Sequence, residues 1–414
     1  MTTGRMLLLA VDGLDEHDAA ALVPSGALTG GTALRIVPGG PSESSPALAG
    51  LVTGASVART GVATEQPFRP DRPESRSTWY ARSMSIPTLF SRAREAGRVT
   101  AALQWPATAG GDIDLCLPLV EDLRHYRNRW DMAEQTSSPR MVAAHLAARR
   151  EAGVQLSQVP ADDLVAEIAS EALGQSRIDL LAARLTGLGI ERRTAGLGSM
   201  PSQRSLQDTA DVIEQLVTAF APGPEDRVVV VPGRPLVPTA LLVHPNAALA
   251  ASGLLRTDGP RLADFRALVW PDGPRGVVHV RREEGAAARD GTLAALAELA
   301  AHSRLQLRAV DDGVGATEET DVIAVLEGSP GTVFGLSATA RPLVEGTDPY
   351  YAGPRAVTDP SAVAIVHARG PGMPAAGAEG SWADLGVTLA QALDLELPGA
   401  TAAGMRTPEP LGNP

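Results

Sequence analysis

Hydrophobic positions along the chain fall into two patterns. One is the uninterrupted apolar run. Met6-Leu-Leu-Leu-Ala-Val11 stops at Asp12-Gly13, and comparable runs lie at Val99–Gln104, Ile178–Leu185 and Arg227–Val231. Short runs without alternation predict strands buried on both faces. The other pattern is the helical stripe. Ser205–Phe220 carries apolar residues at 206, 210, 213, 217 and 220, a 4-3-4-3 spacing that gathers them on one face. Pro87–Ala96, closed by Gly97, predicts a second helix. Buried strands alternating with amphipathic helices predict an α/β fold, with a mostly parallel central sheet and helices on both faces.

Two stretches interrupt this rhythm. Thr64–Met84 is rich in Arg, Pro and Ser, and predicts an exposed loop over one end of the sheet. Strands are expected at Val277–Arg281, Leu305–Val310, Asp321–Leu326 and Val333–Leu336, with a helix at Gly291–His302. They suggest a small α+β lobe over residues 245–340, inserted into a core of residues 1–244 and 341–414. Ala362–His367 returns to the main sheet and Asp384–Leu393 forms a closing helix. The Gly/Pro-rich tail after Pro398 reads as loose.

Composition narrows the function. The 36 basic residues are all arginine, so a Schiff-base lysine, a pyridoxal phosphate tether and a Walker A loop are excluded. Cys116 is the single cysteine and reads as a core residue, leaving no internal disulfide and no cysteine-rich metal cluster. The net charge of −12 and 3% aromatic content argue against nucleic acid and anionic membranes as partners. The first apolar run is too short for a signal or a membrane span, so a cytoplasmic location is the expectation. The seven histidines show no H-x-H or H-x₃-H pair, and Asp15-Glu16-His17-Asp18 reads as the solvated start of a helix.

In open α/β sheets, ligands bind at the carboxyl ends of the strands. Asp12 stands there. Ser44-Ser-Pro46 follows, and proline favours the first turn of a helix, which puts Ser44 at a helix N-terminus suited to an oxyanion. Together with Pro41, Thr53-Gly54 and Thr60-Gly61, these residues resemble the alkaline-phosphatase superfamily, in its type I phosphodiesterase/nucleotide pyrophosphatase branch. Pro87-Thr-Leu-Phe, Gln104-Trp-Pro, Ile178-Asp-Leu, His367-Ala-Arg-Gly-Pro-Gly372 and Asp384-Leu-Gly-Val extend the resemblance over nearly the whole chain in the family's order.

The resemblance implies an alkaline-phosphatase-like core. It implies Asp12 as the first-strand metal ligand and Ser44 at the nucleophile position, with Thr53 near the bound anion. The family's remaining ligands are replaced. Gly189 and Arg193 stand for an Asp and a His, Pro232-Gly-Arg234-Pro235 stands for Ser-Asp-His-Gly, and Asp348 or Ala352-Gly353 stands at the last His-Gly. Glycine supplies no ligand, and a guanidinium has no lone pair to donate. No metal or other cofactor is expected. Arg193 and Arg234 are the expected anion-binding residues, and one of them is the expected ion-pair partner of Asp12. The reading is a degenerate, metal-independent member of the superfamily that accepts an anionic small molecule bearing phosphate, sulfate or carboxylate. It acts as a binding protein or as a repurposed group-transfer or hydrolytic enzyme. The alternatives are an active phosphodiesterase with an unrecognised metal site, and a structural partner protein with a filled crevice.

Overall fold

The computed structural model describes residues 4–18, 30–38, 43–65, 68, 78–122, 125–157, 159–259, 261–303, 305–310, 314–348, 350–359 and 361–407. At its centre lies an eight-stranded sheet. Its strands are β1 (Met6–Val11), β2 (Thr32–Ile36), β3 (Thr100–Leu103), β4 (Leu115–Leu117), β5 (Leu180–Leu185), β6 (Arg227–Pro232), β7 (Ala364–Arg369) and β8 (Glu379–Gly380). They lie in the order β8-β2-β7-β6-β1-β5-β3-β4, and within this sheet only β7 runs against its neighbours. The helices that pack on the sheet or frame the site are α1 (Ser44–Thr53), α2 (Leu89–Glu95), α3 (Asp162–Gln175), α4 (Gly187–Ala195) and α5 (Met200–Phe220). Two more, α6 (Gly285–Ser303) and α7 (Trp382–Ala392), follow later in the chain.

β1 shows why an unbroken apolar run marks this architecture. Met6, Leu8 and Ala10 enter a core shared with α1, α2 and α7, while Leu7, Leu9 and Val11 enter a second core with α3 and α5. Successive side chains on a strand face opposite ways, so a strand covered on both sides has no polar face to interrupt the run. Each fully buried leucine contributes about 1.5–3 kcal/mol.

The observed α5 begins earlier than its apolar stripe suggests. Ser199 caps it, accepting from the Ser202 amide at 3.3 Å, and Pro201 fills the first turn. Its buried face includes Val212, Ile213, Leu216, Val217 and Phe220. β2 and β4 escaped the sequence reading because β2 is buried only at Leu34 and Ile36, with Arg35 exposed between them, and β4 is only three residues long.

A separate antiparallel sheet runs in the order Ala267–Asp272, Arg275–Arg281, Thr320–Glu327, Gln306–Ala309, with α6 packed on it around a distinct core. The strand expected at Val333–Leu336 is seen at Thr332–Phe334 and pairs with Leu241–Val243 in another small sheet. Most of the 64–84 loop lies outside the described residues. Phe68 anchors it, with ring centroids 5.2 Å from Trp270 and 4.7 Å from His279. The segment expected to be loose after Pro398 is tied down as far as it is described. The Thr401 amide donates to Gly54 O at 2.9 Å, and the Met405 amide to Thr388 Oγ1 at 2.9 Å.

Candidate functional site

Asp12 leaves β1 where the strand ends, and Gly13 turns the chain at φ 82°. A side chain on Gly189 of α4 would come within 2.7 Å of Asp12 Cβ, so this glycine lets α4 pack directly on the Asp12 turn. The close approach leaves no room for a carboxylate at position 189.

Ser44 opens α1, as Ser-Ser-Pro predicts, and its hydroxyl donates to Asp12 Oδ1 at 2.9 Å. The other carboxylate oxygen is held by Arg184, through Nε at 3.1 Å and Nη2 at 2.6 Å. Arg184 lies in β5 opposite Ala10 of β1, and both charged side chains are 9% exposed. Its Nη2 also reaches Glu65 Oε1 at 3.4 Å. The same Glu65 oxygen accepts from the Ser45 amide at 3.2 Å and the Ser45 hydroxyl at 3.0 Å. Glu43, the N-cap residue of α1, is hydrogen-bonded to Glu65, and Asp272 lies close to both carboxyls. A single network therefore runs from Ser44 through Asp12, Arg184 and Glu65 to Glu43.

Burial pushes the Asp12 carboxyl up, but the Arg184 guanidinium, with smaller help from Arg193 and Ser44, outweighs it and holds Asp12 below its usual range. Glu43 goes the other way. Burial, then the neighbouring Glu65 and Asp272 charges, raise it well above an ordinary carboxyl. Two adjacent acids of which one holds a proton can share a hydrogen bond without both being charged.

The ion pair expected for Asp12 is formed by Arg184, not by Arg193 or Arg234. Arg193 lies close enough for its charge to favour ionised Asp12 and ionised Glu43. Arg234 is buried and gives Nη1 to the carbonyls of Val37 at 3.3 Å and Ala362 at 3.2 Å, with its guanidinium 6.0 Å from the Trp382 ring centroid. Thr53 is not at the site. It ends α1, roughly 13 Å along the axis from Ser44 at 1.5 Å per residue, and its hydroxyl donates to Ala49 O at 2.7 Å. The acidic stretch after Asp12 is not simply solvated either: Asp18 is buried and takes Nη1 of Arg192 at 2.5 Å.

Arg184, Glu43, Glu65 and Asp272 were missed by the sequence reading. Arg184 had a usable signal, a lone charge inside an otherwise apolar strand at its carboxyl end. Glu65 had none, sitting in a stretch that reads as exposed loop.

Among the described residues, no group of three or more His, Cys, Asp or Glu side chains is arranged to hold a metal ion. Both Asp12 oxygens are engaged, one by Ser44 and the other by Arg184, and the Arg184 guanidinium lies between Asp12 and Glu65, an arrangement that does not fit a two-metal centre. Two spaces adjoin the network. One, lined by Asp12, Glu43, Ser44, Arg234 and Trp382, has a volume of 10 Å³, about that needed for one water. The other, of 760 Å³, shares Arg234 and Trp382 with the first.

No protein-family model and no curated protein sequence matches the chain. Solved structures match it in fold over nearly its full length. An inactive murine ectonucleotide pyrophosphatase/phosphodiesterase 5 in complex with AMP has a TM-score of 0.59 at 14% identity, covering 95% of this chain and 96% of that one. The human protein of the same name gives 0.60 at 14% identity, covering 97% of each chain. A further murine structure gives 0.58 at 14% identity, covering 95% and 96%. The fold is thus of the alkaline-phosphatase type. In particular it is similar to that of the nucleotide pyrophosphatase/phosphodiesterases. No helix among the described residues is long and apolar enough to cross a membrane.

Proposed function

We propose that this chain is a metal-independent derivative of the phosphodiesterase fold that binds an anionic small molecule and does not turn over phosphate esters. One observation carries the reading: the Arg184 guanidinium sits on Asp12, the residue that the resemblance makes a metal ligand. A fixed side-chain cation there satisfies the buried carboxylate, which would otherwise be costly to leave unpaired. The neighbouring Arg193 and Arg234 supply positive charge for an anion. Nucleotide binding by the murine neighbour, captured with AMP, is consistent with an anionic ligand.

Catalysis by this network is weak on physical grounds. Asp12 is held below its ordinary pKa and makes a poor base for the Ser44 hydroxyl. Arginine alone supplies about 10³–10⁵ in rate, or roughly 4–7 kcal/mol of the 8–23 kcal/mol that enzymes contribute. The test is hydrolysis of bis(p-nitrophenyl) phosphate with and without added zinc, beside calorimetric titration with AMP. The expected result is no zinc-dependent turnover, with AMP binding that weakens in Arg234→Ala. Zinc-dependent turnover lost in Ser44→Ala overturns the reading. Chelator-insensitive turnover lost in Ser44→Ala instead favours a repurposed enzyme, for which the Ser44–Asp12 hydrogen bond is the supporting feature.

A further inference from the structure

The Asp12 centre is too full for a ligand, yet beyond Trp382 and Arg234 the protein opens into the 760 Å³ chamber. Its volume lies within the range of small-molecule pockets, about 300–1,000 Å³. Three guanidinium side chains line it: Arg234 after β6, Arg275 from the separate antiparallel sheet, and Arg406 from the C-terminal segment. The acidic side chain in the wall, Asp384, is already engaged. It accepts from the Ser381 amide at 2.9 Å, the Ser381 hydroxyl at 2.6 Å and the Ala403 amide at 3.2 Å. The rest of the wall is mostly apolar, with Pro38, Pro46 and Trp382 as its broad faces. Arg275 gives Nη2 to the buried Asp272, while its Nε and Trp382 Nε1, both buried, have no hydrogen-bond partner among the described residues.

We propose that this chamber is the ligand site, and that its ligand is an oxyanion carried on a flat apolar body. The inference rests on the anion-binding reading above and adds where the anion sits and what must be attached to it. A bare phosphate would meet the arginines but leave the apolar wall in water. A ring system attached to the oxyanion removes that surface from solvent and places the charge among the three guanidinium groups.

The experiment is calorimetric titration of the full chain with 1-naphthyl phosphate and with inorganic phosphate. Naphthyl phosphate is expected to bind at least roughly tenfold more tightly, because burying a ring contributes more than the 1.4 kcal/mol that a tenfold change represents. Ala58 is an exposed residue in the chamber wall. Ala58→Trp is expected to abolish binding without lowering Tm, and Arg406→Glu to weaken it roughly tenfold. Equal affinity for the two phosphates, or unchanged naphthyl phosphate binding in both variants, overturns the chamber. If Ala58→Trp binds normally while Arg193→Ala does not, the anion sits at the Asp12 end, so the chamber fails and the anion-binding reading stands. If wild-type protein binds neither phosphate, both fail.

Discussion

β1 is held at each end by an arginine–aspartate pair, and the two pairs are nearly the same in geometry. At the amino end, Arg5 gives Nε at 3.1 Å and Nη2 at 2.7 Å to Asp226 Oδ2, just before β6. At the carboxyl end, Arg184 gives Nε at 3.1 Å and Nη2 at 2.6 Å to Asp12 Oδ2. They differ in what surrounds them. Arg5 also donates to the Phe220 carbonyl and lies over the Phe220 ring, and Asp226 takes the amides of Arg5 and Gly223, so that pair closes on local partners. Arg184 leads onward to Glu65, Glu43 and Asp272. The first pair is stitching between two strands. The second is charge compensation at the end of the sheet where α/β proteins keep their ligands, and stability alone is a weak reason for a buried ion pair.

The largest effect is expected of Arg184→Met. It leaves Asp12 buried without its main counter-charge, and the expected loss is about 3–5 kcal/mol in urea unfolding. Adding Asp12→Leu removes the stranded charge and is expected to recover at least half of that loss. A single-variant loss below about 1 kcal/mol, the size expected of a solvated pair, would erase the distinction between the two ends.

The second effect is on pH dependence. A carboxyl raised on folding contributes stability that is full below its unfolded value and is lost as pH rises through its folded value. Glu43, raised by burial and then by Glu65 and Asp272, gives its full contribution below its reference value of 4.5 and loses it as pH climbs above that value. Asp12 is lowered, so its contribution is present above 3.8 and disappears as pH falls through its folded value. Glu43→Gln fixes the neutral form. Its Tm is expected to fall less than that of the wild type as pH rises from about 5 to 8, while the acid limb is kept. Parallel pH profiles for the two proteins would show that Glu43 does not hold a proton.

At the amino end, Arg5→Ala is expected to lose about 1–2 kcal/mol, because the pair is partly exposed and Asp226 keeps its amide donors. Anion binding is expected to stay unchanged. A change in affinity would mean that the two ends are coupled through β1.

What the sequence made legible follows the same division. β1 is seen with the bounds its apolar run predicts, because burial on both faces leaves no polar residue to blur them. Asp12 and Ser44 were legible from adjacent signals, a strand end and a proline in a first helical turn. Arg184 stands out as a lone charge in an apolar strand, but its partner is 172 residues away in the chain, so the pairing itself was not legible. Arg193 and Arg234 were picked by their order in a resemblance, which fixes a position but not where a long side chain turns. Arg234 spends Nη1 on Val37 and Ala362 carbonyls that no motif announces.

Thr53 gives the smallest expected effect and tests how far the site extends along α1. Its hydroxyl is buried and returns to the Ala49 carbonyl of its own helix, a bond that contributes little to helix stability. Thr53→Val keeps the shape and removes that bond, so a loss of at most about 1 kcal/mol is expected. Anion affinity is expected to stay within about twofold, or roughly 0.4 kcal/mol, because Thr53 is fully buried and lines neither space beside the network. A larger drop in affinity, with Tm unchanged, would mean that the ligand touches the Thr53 hydroxyl inside α1. The Asp12 centre could then no longer be treated as a region apart from the rest of that helix.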